Sequence, residues 1–255
     1  MNRGSSRQAP LAVSAHRGGY VDDTVPMLDA YRSGINAGVD FVEMDIRRTR
    51  DGVLVLHHDE CLPSGLPLDL GSYSEYTEEM GDQALGLEQL LELAKGNVGL
   101  HLDLKESGYE LELMDRVLRD FEPREFVVTS VSEQSLKVIK ERYPQVQVGL
   151  TLGGLLGARG IGRAIWSRLN EFFPQGRIRQ FAPDFLAVNY HLAKLTVFRF
   201  ARKHNIPVWV WTVDSDRAMQ HFLEDPRVTT VVSNRAEVAL RRRAAARKPP
   251  LSKAT

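Results

Sequence analysis

Short runs of β-branched and apolar residues recur along the chain and alternate with segments whose apolar positions fall at helical spacing. The runs occupy residues 11–14, 41–46, 98–104, 126–129, 146–150, 185–188, 207–213 and 228–232. Helical spacing appears between them at 87–93, 111–118, 136–139, 195–201 and 218–223. Ser132 before Glu133, and Asp214-Ser215-Asp216, supply N-terminal caps, while Asn205 ahead of Pro207 marks a helix end running directly into a strand. Eight such βα units in 255 residues predict an α/β fold of the TIM (β/α)8 barrel type, in a single domain. An open doubly wound sheet is the competitor, but the first strand is followed by His16-Arg17-Gly18-Gly19 and not by a GxGxxG turn. Asp51-Gly52, between 46–49 and 53–56, predicts a small hairpin with a short insertion after strand 2. The barrel is expected over 11–240, with a flexible N-terminus over 1–10 and a basic C-terminal tail over 241–255.

A barrel of this kind places its chemistry at the C-terminal ends of its strands. The first strand ends in His16-Arg17-Gly18. The second carries Glu43 and Asp45 at i and i+2, which point to one face of a strand. The hairpin strand ends in His57-His58-Asp59, and the third barrel strand alternates so that His101, Asp103 and Lys105 share a face. The seventh alternates as Val208-Trp209-Val210-Trp211 and presents an aromatic at its end. Three clustered carboxylates repel one another, so a cation must sit among them. Oxygen ligands suit a hard divalent ion, Mg²⁺ or Ca²⁺, better than zinc or copper. Such an ion beside Arg17 and Lys105 makes a site for an anion, most economically a phosphate. Two histidines near that phosphate can serve as general base and general acid. Each piece has a blander reading: a lone Glu-x-Asp is usually solvated, His57-His58 can be a turn pair, and Asp103 can simply pair with Lys105 or Arg17. His101 is either a partner of a ligand or a packed interior residue. Their coincidence at several strand ends favours metal-assisted phosphodiester chemistry.

Composition narrows the classes further. Hydrophobic residues make up 43% and charged residues 26%, which excludes a collagen, a disordered charged tail protein and a disulfide scaffold. Thirty-three basic residues cancel thirty-three acidic ones, so no global charge draws the chain to nucleic acid. Cys61 is the single cysteine, which precludes an internal disulfide or a cysteine zinc site and fits a reducing compartment. No apolar run approaches the ~20 residues of a membrane span, and the apolar stretch 11–15 is too short for a signal-peptide core. A cytoplasmic enzyme is therefore expected. The basic tail reads as a solvated helix end, with weak peripheral contact to anionic lipid as the alternative.

Several segments resemble the glycerophosphodiester phosphodiesterase family: Ala15-His16-Arg17-Gly18, the stretch from Gly38 to Asp45, the stretch from Asp51 to Asp59, residues 100–105, 208–213, and Val231-Val232-Ser233-Asn234-Arg235. The resemblance runs over roughly 11–240. It implies a TIM barrel that hydrolyses small-molecule phosphodiesters to an alcohol and glycerol phosphate. Carried over by position, it implies Glu43, Asp45 and Asp103 as ligands of one divalent cation, Asp103 standing where the family commonly has glutamate. It further implies His16 and His58 as the acid/base pair, Arg17 as a phosphate ligand, Lys105 as support for the phosphate or its developing charge, and Trp211 as a wall of the substrate site. Family mechanisms often have a neighbouring substrate hydroxyl attack phosphorus, giving a cyclic phosphate that water then opens.

Two departures bear on the headgroup. The family's proline-glutamate-asparagine-threonine stretch is replaced by Val21-Asp22-Asp23-Thr24, leaving Asp22 as a weak substitute ligand. After Asp59 the chain reads Cys61-Leu62-Pro63-Ser64-Gly65, without the usual arginine-threonine signature. Residues 161–173 combine apolar helical spacing with interleaved arginines, predicting either an ordinary barrel helix or an amphipathic lid for acyl chains. The alternatives are thus a lysophospholipase D or sphingomyelinase D-like enzyme acting on lysolipids, and a catalytically silent barrel that binds phosphorylated ligands.

Overall fold

All eight apolar runs form strands, and the first pairs with the last. In the computed structural model, which describes residues 11–19, 24–153, 176, 178, 181–192 and 197–246, β1 (Ala12–Ala15) lies parallel to both β2 (Phe41–Arg48) and the final strand, β9 (Val228–Ser233). Between β2 and β9 run β4 (Gly99–Leu104), β5 (Phe126–Ser130), β6 (Gln147–Leu152), β7 (Phe185–Asn189) and β8 (Val208–Trp211), each parallel to its neighbours. The closed ring is the predicted TIM barrel. The remaining strand, β3 (Leu54–Leu56), pairs antiparallel with the overhanging end of β2, with Ile46 opposite Leu56 and Arg48 opposite Leu54. That is the hairpin predicted at Asp51-Gly52.

The longer described helices are α1 (Met27–Asn36), α2 (Tyr73–Met80), α3 (Leu87–Ala94), α4 (Glu110–Val117), α5 (Glu133–Arg142), α6 (Phe198–His204), α7 (Asp216–Glu224) and α8 (Ala236–Ala246). The predicted caps form: Ser132 Oγ accepts from Ser135 N–H, and Ser215 Oγ accepts from Ala218 N–H. Asn205 adopts the left-handed conformation (φ 54°) that closes α6. Helical periodicity did not announce α1, α2 or α8. In α2 only Tyr76 is buried, so there is no apolar stripe, and the helix is instead closed by a capping box between Ser72 and Glu75. In α8 the buried residues include the small Ala236 and Ala239, which a run of arginines conceals in the sequence. Arg241, Arg242 and Arg243 lie inside this helix and pair with Glu237, Asp216 and Asp40. Residues 1–10, 161–173 and 247–255 and the candidate ligand Asp22 lie outside the described residues. No described helix is long and apolar enough to cross a membrane.

Two cores share the strands. The larger lies between the outer faces of the strands and the helices, and includes Val42, Met44, Leu100, Leu102, Val128 and Val210. The smaller fills the barrel interior with Val127, Phe185, Ala187, Trp209 and Val232, against which Phe41 packs. The Phe185 ring stacks on Trp209 at 4.6 Å and Phe41 lies 5.2 Å from it. Two strand glycines make room for these rings. A Cβ at Gly149 would stand 2.3 Å from the Phe185 ring, and one at Gly99 would stand 2.7 Å from Phe41. A third cluster, Val55, Leu62, Leu68 and Tyr76, sits beneath the insertion after β3.

Candidate active site

The ladder between β2 and β4 sets Glu43 opposite His101 and Asp45 opposite Asp103. Side chains two residues apart on a strand share a face, so this one register brings three carboxylates to the barrel mouth. One oxygen each from Glu43, Asp45 and Asp103 can be chosen so that all lie within 4.8 Å of one another. His16, His58, Lys105 and Trp211 join them in lining a cavity of about 380 Å³. Arg17 reaches the cluster from the other side of Asp45, where a smaller cavity of about 120 Å³ opens beside Met27, Tyr31 and His58.

A tight turn after β1 delivers His16 and Arg17. Gly18 (φ 74°) is pressed against α1, where a Cβ would stand 2.5 Å from Tyr31 Cα; a Cβ at Gly34 would stand 2.4 Å from the Gly18 carbonyl oxygen. This close approach requires glycine on both sides and fixes the turn. Arg17 then donates its main-chain N–H to Glu43 Oε2 (2.9 Å) and its Nε–H to Asp45 Oδ2 (2.8 Å).

His16 is oriented from behind. Asn234 donates its Nδ2–H to Asp214 Oδ2 (2.8 Å), which leaves Asn234 Oδ1 to accept from His16 Nδ1 (2.7 Å). The network therefore assigns the proton to Nδ1 and leaves Nε2, 3.9 Å from Glu43 Oε2, as a proton acceptor. Burial lowers the His16 pKa, with the positive Arg17 opposing the pull of Asp45, so the neutral form is favoured. His58 is more open, its side chain half exposed, and its Nδ1 pairs with Asp59 Oδ1 at 2.8 Å.

The acids and their partners are strongly polarised. Burial alone would raise Asp45, but the adjacent Lys105 and Arg17 outweigh it and hold the carboxyl well below the usual range. Glu43 moves the other way, raised by burial and then by the charge of Asp45. Burial opposes a charged Lys105, yet Asp103 and Asp45 outweigh it and raise its pKa. The Lys105 ammonium lies 2.7 Å from Asp45 Oδ1 and 2.6 Å from Asp103 Oδ2. Thr129 Oγ1 donates to Asp103 Oδ1 (2.6 Å), and Thr151 stands 3.4 Å from the same oxygen. Since Thr129 is the donor there, it accepts from His101 Nε2 (3.0 Å), and Ser14 Oγ serves His101 Nδ1 at 3.3 Å. Burial takes His101 down to about 4, so it is a neutral interior partner of the Asp103 support.

The donor set fits a hard divalent cation. All three ligand groups are carboxylates, two of them nearly fully buried, and Asp45 Oδ1 has no hydrogen-bond donor at a favourable angle despite its neighbouring ammonium. The eight sequence-selected side chains therefore converge. Sequence reasoning missed Asn234, Asp214, Thr129 and Thr151. Asn234 stood in a family-like segment without a role attached; the two threonines occupy inward positions that become visible only once β4, β5 and β6 are in register.

Residues 3–69 match the model of the glycerophosphoryl diester phosphodiesterase family, a span that contains His16, Arg17, Glu43, Asp45 and His58. The chain is similar to the glycerophosphodiester phosphodiesterase of Bacillus subtilis, 25% identical over 258 aligned positions that cover 86% of this chain and 82% of that protein. Its fold is similar to a crystal structure of a glycerophosphodiester phosphodiesterase from Parabacteroides distasonis (TM-score 0.73, 18% identity, 94% of this chain and 99% of that one). It is also similar to a phosphodiesterase of Oleispira antarctica in complex with the product sn-glycerol-3-phosphate (TM-score 0.69, 19% identity, 91% and 96% covered).

Proposed function

We propose that this chain is a phosphoric diester hydrolase of the glycerophosphodiester phosphodiesterase family, and that it cleaves glycerophosphodiesters to an alcohol and glycerol phosphate, using two histidines and one divalent cation, Mg²⁺ or Ca²⁺. The observation that carries the mechanism is the buried Glu43–Asp45–Asp103 cluster sharing one cavity with His16, His58 and Lys105. Its volume of about 380 Å³ fits a small ligand.

Glu43, Asp45 and Asp103 would hold the cation, which when bound would supply positive charge beside the phosphate. Lys105, kept protonated by its two aspartates, adds charge where the phosphoryl group becomes more negative. Arg17 holds Asp45 and Glu43 in place and adds its own positive charge beside the cluster. His16, neutral with Nε2 unprotonated, takes the proton from the attacking oxygen. His58 then gives a proton to the departing alcohol oxygen, with Asp59 orienting its ring. Trp211 forms part of the wall against which the substrate lies. The silent-barrel reading leaves a costly buried carboxylate cluster without a purpose.

Phosphorus NMR of the protein with glycerophosphocholine and lysophosphatidylcholine, with and without Mg²⁺ or Ca²⁺, tests the assignment. Cation-dependent loss of the glycerophosphocholine signal with growth of glycerol phosphate is expected, and His16→Ala should slow it by about 10²–10⁴-fold while remaining folded. Selective loss of the lysolipid would transfer the function to the lipid-cleaving alternative, and a fully active His16→Ala would refute the mechanism.

A further inference from the structure

Arg47 is a cation in the same cavity that the reaction scheme leaves unused. It follows Asp45 by two positions on β2, on the inward face, and only 8% of its surface is exposed. Its guanidinium is committed to two partners. Nε and Nη2 both donate to the main-chain carbonyl of His58, at 3.2 and 3.1 Å, and Nη1 pairs with the Glu106 carboxylate.

The position of His58 explains why such a fork is needed. The hairpin ladder ends just before it: His57 N–H still bonds to the Asp45 carbonyl (2.9 Å), and the chain then leaves the sheet. The His58 side chain is 50% exposed, and its ring partner Asp59 is 77% exposed on the same loop. Asp59 can turn the ring relative to the loop, but it cannot fix the loop relative to the barrel. Arg47 can, because β2 also carries Glu43 and Asp45. Glu106, directly after Lys105, holds the guanidinium from the β4 side. A planar fork with donors on two edges does both jobs at once, which a lysine ammonium does not reproduce.

We infer that Arg47 is the positioning residue for His58, clamping its carbonyl so that the imidazole stays in register with the carboxylate cluster, with Glu106 locking the clamp. This rests on the assignment of His58 as the general acid. A general acid matters when the leaving alcohol is poor and little when it is p-nitrophenolate, which departs without a proton. Displacing a catalytic group by an ångström costs on the order of 10²-fold in rate.

The test compares a glycerophosphodiester of a simple alkyl alcohol with the p-nitrophenyl ester. Arg47→Met should lower kcat for the alkyl ester on the order of 10²-fold more than for the aryl ester, with KM changing less than about threefold. Arg47→Lys should not restore the ratio. The double variant Arg47→Met/Glu106→Gln, which leaves no unpaired carboxylate, should behave like Arg47→Met. In the cation-free protein, amide hydrogen exchange across 57–61 should quicken in Arg47→Met while that of α3 stays as in the parent. Equal losses on both esters, or none, would overturn the inference if His58→Ala itself discriminates between them. If His58→Ala does not discriminate, the acid assignment fails instead, and unchanged exchange across 57–61 would then overturn the clamp independently.

Discussion

The barrel interior has two levels built from the same strands, and they obey opposite chemistry. At the lower level β2 contributes Phe41, β4 contributes Gly99, β7 contributes Phe185 and β8 contributes Trp209, giving a stacked aromatic plug. Higher on those strands the same inward face presents Glu43 and Asp45, His101 and Asp103, Asn189, and Trp211. Alternation with period two decides which residues face inward at both levels; height along the strand decides whether they meet rings or charges. His101 is the seam. Its ring lies 5.0 Å from Trp209 below, and its Nε2 supports the Thr129 that holds Asp103 above. The plug gives the charged level a rigid floor.

Breaking the floor should have the largest effect. Trp209→Ala removes the ring shared by Phe41, Phe185 and His101, and a loss of about 3–5 kcal/mol in unfolding free energy is expected by denaturant titration. An unchanged midpoint would mean that the two levels are independent. A smaller effect is expected from loosening the upper level alone. Asn234→Ala deletes the acceptor for His16 Nδ1, which should cost about 1 kcal/mol of transition-state stabilisation, roughly fivefold in kcat, with at most about 1 kcal/mol lost in unfolding from the bond to Asp214. A lowered melting temperature with normal kcat would assign Asn234 to the framework instead.

The smallest effect concerns pH in the presence of chelator. Glu43 has a folded-state pKa above its unfolded value, so the folded protein retains an extra proton between the two. The contribution of Glu43 to stability should therefore fall as pH rises from the ordinary glutamate value of 4.5 toward the raised one. Asp45 is shifted downward, and its contribution is lost only as pH drops below the ordinary aspartate value of 3.8, outside that window. Melting temperature measured against pH should rise more steeply in Glu43→Gln than in the parent, because the lowered His16 and His101 values add the same upward slope to both proteins and only the parent carries the opposing Glu43 contribution. Parallel curves would show that Glu43 is not strained by its neighbours.

The upper level was far more legible in the sequence than the lower. Glu43, Asp45, His101, Asp103 and Lys105 announce themselves because charged residues are unusual in an apolar strand, and alternation puts them on one face. The aromatic plug offered no such contrast: Phe41, Phe185 and Trp209 look like any apolar strand residue, and the glycines that accommodate them look like irregularities. Likewise α2 was illegible because its stability comes from a capping box and one buried tyrosine, with no stripe to read. Arg47 is hidden for a related reason, since an arginine on a strand end gives no sign of which carbonyl it will find.

Local periodicity and turn chemistry are enough to set the alternation of strands and helices, the hairpin, and which polar side chains share a face. That Asp45 faces Asp103 across a ladder, that Asn234 reaches His16 from the opposite end of the chain, and that Arg47 clamps His58 emerges only when the chain is folded. Those pairings depend on strand register and barrel closure. Both are set by the packing of the whole ring, where a slip of one residue would turn every inward charge outward.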